Sequence, residues 1–319
     1  MADVALRAPG APASPPTARG QGGADRVERH PLVFDQLRIE NTNHCGYRCF
    51  MCPREQQTRA PGFMPIEDLA LVYERVGPDH EGEIHLHGFG EPLLDKRLID
   101  KVALTRARYP KAFIKFFTTL GVKVEDGTFE RLALAGISNL QISFYGFTAE
   151  SYAKVTGTRT FELARANLEA LAQARRTTGT RFTITLQTWE DKVWQKWPEE
   201  AKRARRQFLL WTQSLGIGRH EVGALHNYGG GRAYNKPPAE GLCSVAWGLR
   251  RRILQVTWDL KVIPCCFDFD ASVVLGDLRT QTLRDVFDGE PYRRFLVAHL
   301  DNRLDDYPVC QACERCFQP

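Results

Sequence analysis

The sequence predicts an α/β fold on a parallel sheet, and three observations predict it. Short β-like runs alternate with amphipathic stretches from Phe34 to about His226. The chain, at 319 residues, is long enough for one large domain and a small one with a sizeable core. A cysteine loop, Cys45-Gly46-Tyr47-Arg48-Cys49-Phe50-Met51-Cys52, follows the first run. In such sheets ligands belong at the carboxyl ends of the strands.

The strand candidates, in order, are Gln36–Glu40, Glu83–His87, Phe113–Thr118, Asn139–Ser143, Arg181–Thr188 and His220–Leu225. Helices are expected between them, at Ile66–Val76, Lys96–Arg108, Thr128–Ala135, Phe161–Thr177 and Glu199–Leu215, with Asp95 and Thr148 as N-caps. Strand–helix alternation implies a parallel sheet with helices outside. Six such repeats fit an open sheet or a partial barrel.

The composition then changes. Tyr228-Gly229-Gly230-Gly231 opens a Gly/Pro-rich linker that runs to Gly241. Beyond it, Ile253–Thr257 and Lys261–Ile263 read as a hairpin around Trp258-Asp259-Leu260, and Thr282–Asp288 and Pro291–His299 as short helices. Six of the nine cysteines lie in this last quarter. So small a segment needs a staple, which metal can supply. The expected division is a disordered leader over 1–31, a main domain over 32–228, a linker over 229–242 and a small cysteine-rich domain over 243–319.

The net charge is +5, but acidic and basic residues are interspersed. The densest basic clusters, Lys202-Arg203-Ala204-Arg205-Arg206 and Arg250-Arg251-Arg252, lack interleaved aromatics and read as solvated faces, so no nucleic-acid partner is expected. No run of about 18 apolar residues suggests a membrane span. Residues 1–31 are rich in Ala, Pro and Gly and lack the apolar segment of a secretory signal. Nine cysteines without such a signal argue for metal rather than disulfides, in a reducing cytoplasm.

Cys45, Cys49 and Cys52 form C-x3-C-x2-C. Three thiolates on one loop can hold three corners of a cubic iron–sulfur cluster and leave the fourth iron open for something reactive. The alternative is zinc, which asks for four ligands. No fourth cysteine or histidine is local except His44.

This loop resembles the signature of the radical S-adenosylmethionine (SAM) superfamily. His87-Gly88-Phe89-Gly90-Glu91-Pro92-Leu93-Leu94, after the second strand, resembles its glycine-glycine-glutamate segment. The resemblance implies that this edge binds the methionyl amino group of SAM, with Gly88 and Gly90 allowing close approach and Glu91 as counter-charge. Thr118-Thr119-Leu120-Gly121 stands where relatives often carry Thr-Asn-Gly, and Leu120 departs from that pattern. Ser143 matches a serine that often meets the SAM ribose; it is otherwise a strand-end hydroxyl bonded to backbone. Met51 takes a position that is often aromatic and packs on adenine. The implied fold is a partial (β/α)6 TIM-like barrel.

The tail resembles the SPASM/twitch extension of the same superfamily, in Cys243, Pro264-Cys265-Cys266, Leu275-Gly276-Asp277-Leu278 and Cys310-x2-Cys313. That implies an auxiliary [4Fe–4S] cluster on Cys243, Cys265, Cys310 and Cys313, with structural zinc as the alternative. Cys266 and Cys316 are left over. Each is a small buried hydrophobe or a functional thiol, and Cys316 could replace a ligand. His226-Asn227-Tyr228-Gly229-Gly230 resembles a segment of SPASM-type proteins that shapes the domain junction. The other polar residues at strand ends, His85, His87, Gln187 and Glu190, read as structural.

In the resembling family, SAM on the open iron yields a 5′-deoxyadenosyl radical that takes hydrogen from an unactivated carbon. The expected activity is epimerisation of a sugar or aminocyclitol carbon in an aminoglycoside-type antibiotic. Cys266 would return the hydrogen atom from apolar surroundings, and a flavodoxin or ferredoxin would supply electrons. The alternatives are dehydrogenation of an aminocyclitol alcohol, peptide maturation, and an iron–sulfur carrier without turnover.

Overall fold

The computed structural model describes residues 27–189, 198–223, 225–233, 243–248 and 251–314. In chain order the repeats run β1 Gln36–Ile39, α1 Ile66–Val76, β2 Glu83–His85, α2 Leu98–Arg108, β3 Phe113–Thr118, α3 Thr128–Leu134, β4 Asn139–Ser143, α4 Ala149–Thr156, α5 Phe161–Thr178, β5 Thr183–Trp189, α6 Pro198–Ser214 and β6 Arg219–Gly223. Strands β1 to β6 are parallel and lie in sequence order, which is the partial barrel.

Period two organises its walls. Leu37, Ile39, Ile84, Ile114, Phe116, Leu140, Ile142, Ile184 and Leu186 are buried on one face of the sheet. The alternate positions Arg38, His85, Lys115, Gln141 and Gln187 then face the other way. Parallel strands packed on both faces usually read as continuous apolar runs. These alternate because their inner face lines a polar chamber.

The tail does not stand apart. β7 Ile253–Val256 pairs in parallel with β1, Arg38 opposite Gln255. β8 Lys261–Ile263 and β9 Gly276–Asp277 follow antiparallel, so one nine-stranded sheet runs β6-β5-β4-β3-β2-β1-β7-β8-β9. Helices α7 Leu283–Phe287, α8 Glu290–Leu300 and α9 Pro308–Gln311 complete the tail.

Several expectations change. Helix α4 was not foreseen, although Thr148 is its N-cap and accepts from the Ser151 amide at 3.1 Å. Asp95 is not the N-cap of α2: Arg97 holds that place before Leu98, and the Asp95 carboxylate is taken by the buried Lys101 ammonium and the Arg97 amide. Most of the expected leader, residues 1–26, lies outside the described residues. Its last residues are packed, with Arg29 bonded to Asp288 and the His30 ring stacked 4.2 Å from Phe287. The approach to the expected linker, and its first residue, are also docked: Asn227 Nδ2 donates to the Ala312 carbonyl at 2.7 Å. Gly229, at φ 61°, lies so close to Val309 that a Cβ would stand 2.3 Å from it. Residues 234–242, Glu190 and Cys316 lie outside the described residues. On α6, Lys202, Arg203 and Arg206 are exposed, as expected for a solvated face.

Candidate active site

The loop after β1 is held from several sides. The Arg48 amide donates to Thr156 O and the Phe50 amide to Val155 O, both at 3.0 Å, so α4 anchors it. The Tyr47 hydroxyl meets those of Thr160 at 2.8 Å and Tyr152 at 3.0 Å. Arg54 donates to the Cys45 carbonyl, and Arg232 donates to the carbonyls of Phe50 and Cys52. The three thiols are neighbours enough to feel one another's charge: Cys52 and Cys45 act on Cys49, and Cys45 on Cys52. Burial pushes Cys45 up, burial and its neighbours Cys52 and Cys45 push Cys49 up, and burial takes Cys52 to about 11. Thiols pushed up in this way become thiolates on binding iron.

The segment after β2 fits against this loop. The Glu91 amide donates to the His44 carbonyl at 2.7 Å. The Glu91 carboxylate is buried and accepts from Thr118 Oγ1 at 2.6 Å, from the Thr119 amide at 2.8 Å, from Thr119 Oγ1 at 2.7 Å and from the Leu93 amide at 3.1 Å. Burial pushes this carboxyl up, and those donors oppose it. A Cβ on Gly88 would stand 2.3 Å from Glu40 Cγ, and one on Gly90 2.4 Å from the Thr42 carbonyl. These glycines let two segments of the chain meet, whatever else binds there. Leu120 adopts φ 58°, a left-handed conformation that asparagine takes more readily than leucine. Met51 is buried in the core, and Ser143 Oγ accepts from the Tyr145 hydroxyl at 3.0 Å.

Behind the strand ends lies the polar chamber. Glu83 Oε2 takes His85 Nε2 at 2.7 Å, Gln36 Nε2 at 2.8 Å and Lys115 Nζ at 3.6 Å. The His85 hydrogen bond holds the Glu83 carboxyl at about 2, while burial drops His85 to about 4. Gln141 Nε2 donates to Glu221 Oε2 at 2.9 Å. His87 Nδ1 and Gln255 Oε1 are buried without a hydrogen-bond partner. Of these chamber residues only His85, His87 and Gln187 drew notice in the sequence, and there as structural groups. Arg38, Lys115, Gln141 and Glu221 were missed. Their signal was alternation within strands, which shows an inner face only once the barrel is known.

The tail gathers Cys243, Cys265, Cys310 and Cys313 around one cavity, with Phe267, Asp268, Phe295 and His299 in its wall. Neighbouring thiols add to burial in raising Cys243, Cys265 and Cys310. Among the described residues no three His, Cys, Asp or Glu side chains close around a single ion. Thiols gathered round a cavity, with both nitrogens of His299 orphaned beside them, are a donor set for a cluster. Cys266 does not line this cavity. Its sulfur meets Arg38 Nη1 at 3.2 Å, and Arg38 is tied to Gln36 Oε1 through Nε and Nη2. The expected apolar surroundings of Cys266 are thus a guanidinium. Tyr228 stands between the cysteine groups: burial pushes its hydroxyl up, and Cys52, Cys266 and Cys49 all add to that. No helix among the described residues is long and apolar enough to cross a membrane.

Comparison with known proteins agrees with this geometry. Residues 39–197 match the family model of the radical SAM superfamily, and residues 243–317 that of the SPASM iron–sulfur cluster-binding domain. A protein named as a probable GTP 3′,8-cyclase from Saccharolobus islandicus is 28% identical over 137 residues, 43% of either chain. One of the same name from Aeropyrum pernix is 25% identical over 273 residues, 72% of this chain and 73% of its own. The chain thus spans less than half the length of the first curated relatives it matches. Among solved structures, BtrN in complex with AdoMet and 2-DOIA matches with a TM-score of 0.60 at 20% identity, over 88% of this chain and 93% of BtrN. Streptococcus suis SuiB bound to precursor peptide SuiA gives 0.64 at 12%, over 90% of this chain and 72% of SuiB. Native anSMEcpe with bound AdoMet gives 0.58 at 14%, over 88% and 90%. Identities this low carry the fold alone.

Proposed function

The chain belongs to the radical SAM superfamily and carries a SPASM iron–sulfur domain, and from that premise we propose that it epimerises a carbon of a sugar or aminocyclitol of the aminoglycoside type. Cys266 is the hydrogen-atom donor. The observation behind this reading is that the Cys266 sulfur lies outside the four-cysteine cavity and is free of its cluster; the Arg38 guanidinium beside it departs from the apolar surroundings that the reading asks for. When bound at Cys45, Cys49 and Cys52, the cluster and SAM supply a 5′-deoxyadenosyl radical that takes a hydrogen atom from an unactivated carbon.

The chain's own residues do the rest. Gly88, Gly90, Glu91, Met51 and Ser143 frame the SAM side of the chamber. His87 Nδ1 and Gln255 Oε1, buried without partners, offer hydrogen bonds to substrate hydroxyl or amino groups. Glu83, His85 and Lys115 form a fixed polar floor. Cys266 gives its hydrogen atom to the substrate carbon on the opposite face: the S–H bond breaks and a C–H bond forms. The sulfur radical then takes one electron from a flavodoxin- or ferredoxin-class donor and one proton from solvent, which restores the thiol.

A second reading is dehydrogenation of a secondary alcohol. The four-cysteine cavity favours it, because hydrogen abstraction must then be followed by loss of a proton and of an electron, which a cluster held there would accept. The reconstituted protein with SAM, a reductant and a panel of aminoglycosides in deuterated water separates the two. GTP belongs in that panel because of the names of the curated relatives. Epimerisation gives an inverted product one deuterium heavier, and Cys266→Ala still cleaves SAM and abstracts substrate hydrogen without inverting. A product two hydrogens lighter, with Cys266→Ala fully active, makes the enzyme a dehydrogenase.

A further inference from the structure

His299 lies on α8, 2% exposed, with its ring edge-to-face on Phe295 at a centroid distance of 4.7 Å. A histidine ring carries at least one N–H in either charge state. Neither nitrogen has a hydrogen-bond partner. A buried histidine with two orphaned nitrogens is unusual, since buried polar groups nearly always find a partner. This one borders the cavity of Cys243, Cys265, Cys310 and Cys313. Backbone amides of Val245 and Ala246 reach Cys243, and that of Phe267 reaches Cys265 Sγ at 3.4 Å, but no other side chain of that wall donates: Val245, Ala246, Pro264, Phe267, Phe295 and Val309 are apolar. The acidic wall residue, Asp268, is already engaged by the Ser272 and Val273 amides.

We propose that the His299 ring N–H donates a hydrogen bond to a sulfur of the auxiliary cluster and thereby raises its reduction potential. The physical ground is general. A donor aimed at a cluster sulfur stabilises the extra negative charge of the reduced state, and outer-shell donors tune metal sites in this way. Four thiolates already complete the ligand set, so the histidine is a positioning and tuning group and not a fifth ligand. The inference rests on the four-cysteine assignment and is independent of the epimerase reading.

The test uses full-length protein carrying Cys45→Ala, Cys49→Ala and Cys52→Ala, so that the auxiliary cluster is the one observed. A redox titration followed by electron paramagnetic resonance gives its midpoint. His299→Leu fills similar space without an N–H, and His299→Gln keeps a donor. Iron content is expected to stay unchanged in both. The midpoint is expected to move to more negative potential in His299→Leu and to move less in His299→Gln. Wild-type holoenzyme labelled with 15N-histidine is expected to show a weak nitrogen coupling to the auxiliary cluster, lost in His299→Leu. An unchanged midpoint in His299→Leu overturns the proposal, as does a strong coupling typical of directly ligated nitrogen. Loss of the cluster in both variants does so too. If instead Cys243→Ala retains a full cluster, the ligand assignment fails first, and the two failures are told apart.

Discussion

Arg38 Nη1 lies 3.2 Å from the sulfur of Cys266, joining the third residue of β1 to the last cysteine of the Pro264-Cys265-Cys266 run. The guanidinium uses its other nitrogens on Gln36 Oε1, so its orientation is fixed from the far side. The contact ties the Cys266 sulfur to β1 across the sheet.

Replacing Arg38 by Met should leave the clusters and SAM cleavage intact. It should lower the ratio of inverted product to 5′-deoxyadenosine by about tenfold to a hundredfold, the scale of a misaligned reacting group. Arg38→Lys should recover only part of this, because an ammonium cannot serve Gln36 and Cys266 in one plane. A ratio equal to wild type in Arg38→Met would show that the sulfur needs no guide.

The two cysteine groups should part cleanly. Replacing Cys45, Cys49 and Cys52 by Ala should remove about half of the iron and sulfide and all SAM cleavage, since each cluster depends on its own thiolates. Iron and sulfide analysis after anaerobic reconstitution measures this. Loss of all iron would mean that the groups do not fold around their clusters separately.

Glu91 joins the loop after β2 to the end of β3 through three accepted hydrogen bonds and takes a fourth from the Leu93 amide of its own loop. Glu91→Gln turns an NH2 group toward donors, and it should lower stability by about 1–3 kcal/mol. Urea unfolding gives the stability, and SAM titration of the folded variant gives the affinity. Lower stability with unchanged affinity assigns Glu91 to the frame; weakened affinity supports its role toward SAM.

Acid should act on the chamber in two windows. His85 is held near 4, below its ordinary value of about 6.5. Between those values the unfolded chain binds the proton that the folded one refuses. Stability from this group is thus complete above pH 6.5 and falls as pH drops toward 4, by at most about 1.4 kcal/mol per pH unit. Glu83, held at about 2, adds stability above its ordinary range that is lost as pH falls further, toward 2. Urea midpoints of the metal-free protein from pH 7 to 5 should decline, and His85→Asn should decline less steeply. Equal slopes would place the proton elsewhere.

The cysteine spacing and the strand alternation were legible because both are local. Asn139–Ser143 and Phe113–Thr118 have the bounds that their patterns suggested. Helix α4 was missed because eight residues between a turn and a glycine carry too short an apolar period to read, although its cap was visible. The pairing of β7 with β1 joins residues more than two hundred positions apart, and no local signal announces such a partner. The Arg38–Cys266 contact follows from that pairing, so it was hidden for the same reason. Glu91 was read as a group waiting for a ligand. Thr118 and Thr119, noted only as a strand-end motif, turned out to occupy it.

The same pairing decides what can be cut away. In the intact chain β1 has β2 on one side and β7 on the other. A truncation before Cys243 would strip β1 of a neighbour and bare its amides and carbonyls to any passing strand. The shortened protein would tend to self-associate even with Cys45, Cys49 and Cys52 untouched. The tail is thus a wall of the chamber as well as the seat of a second metal centre. Exchanging tails between relatives would succeed only where the incoming first strand keeps β7's register on β1.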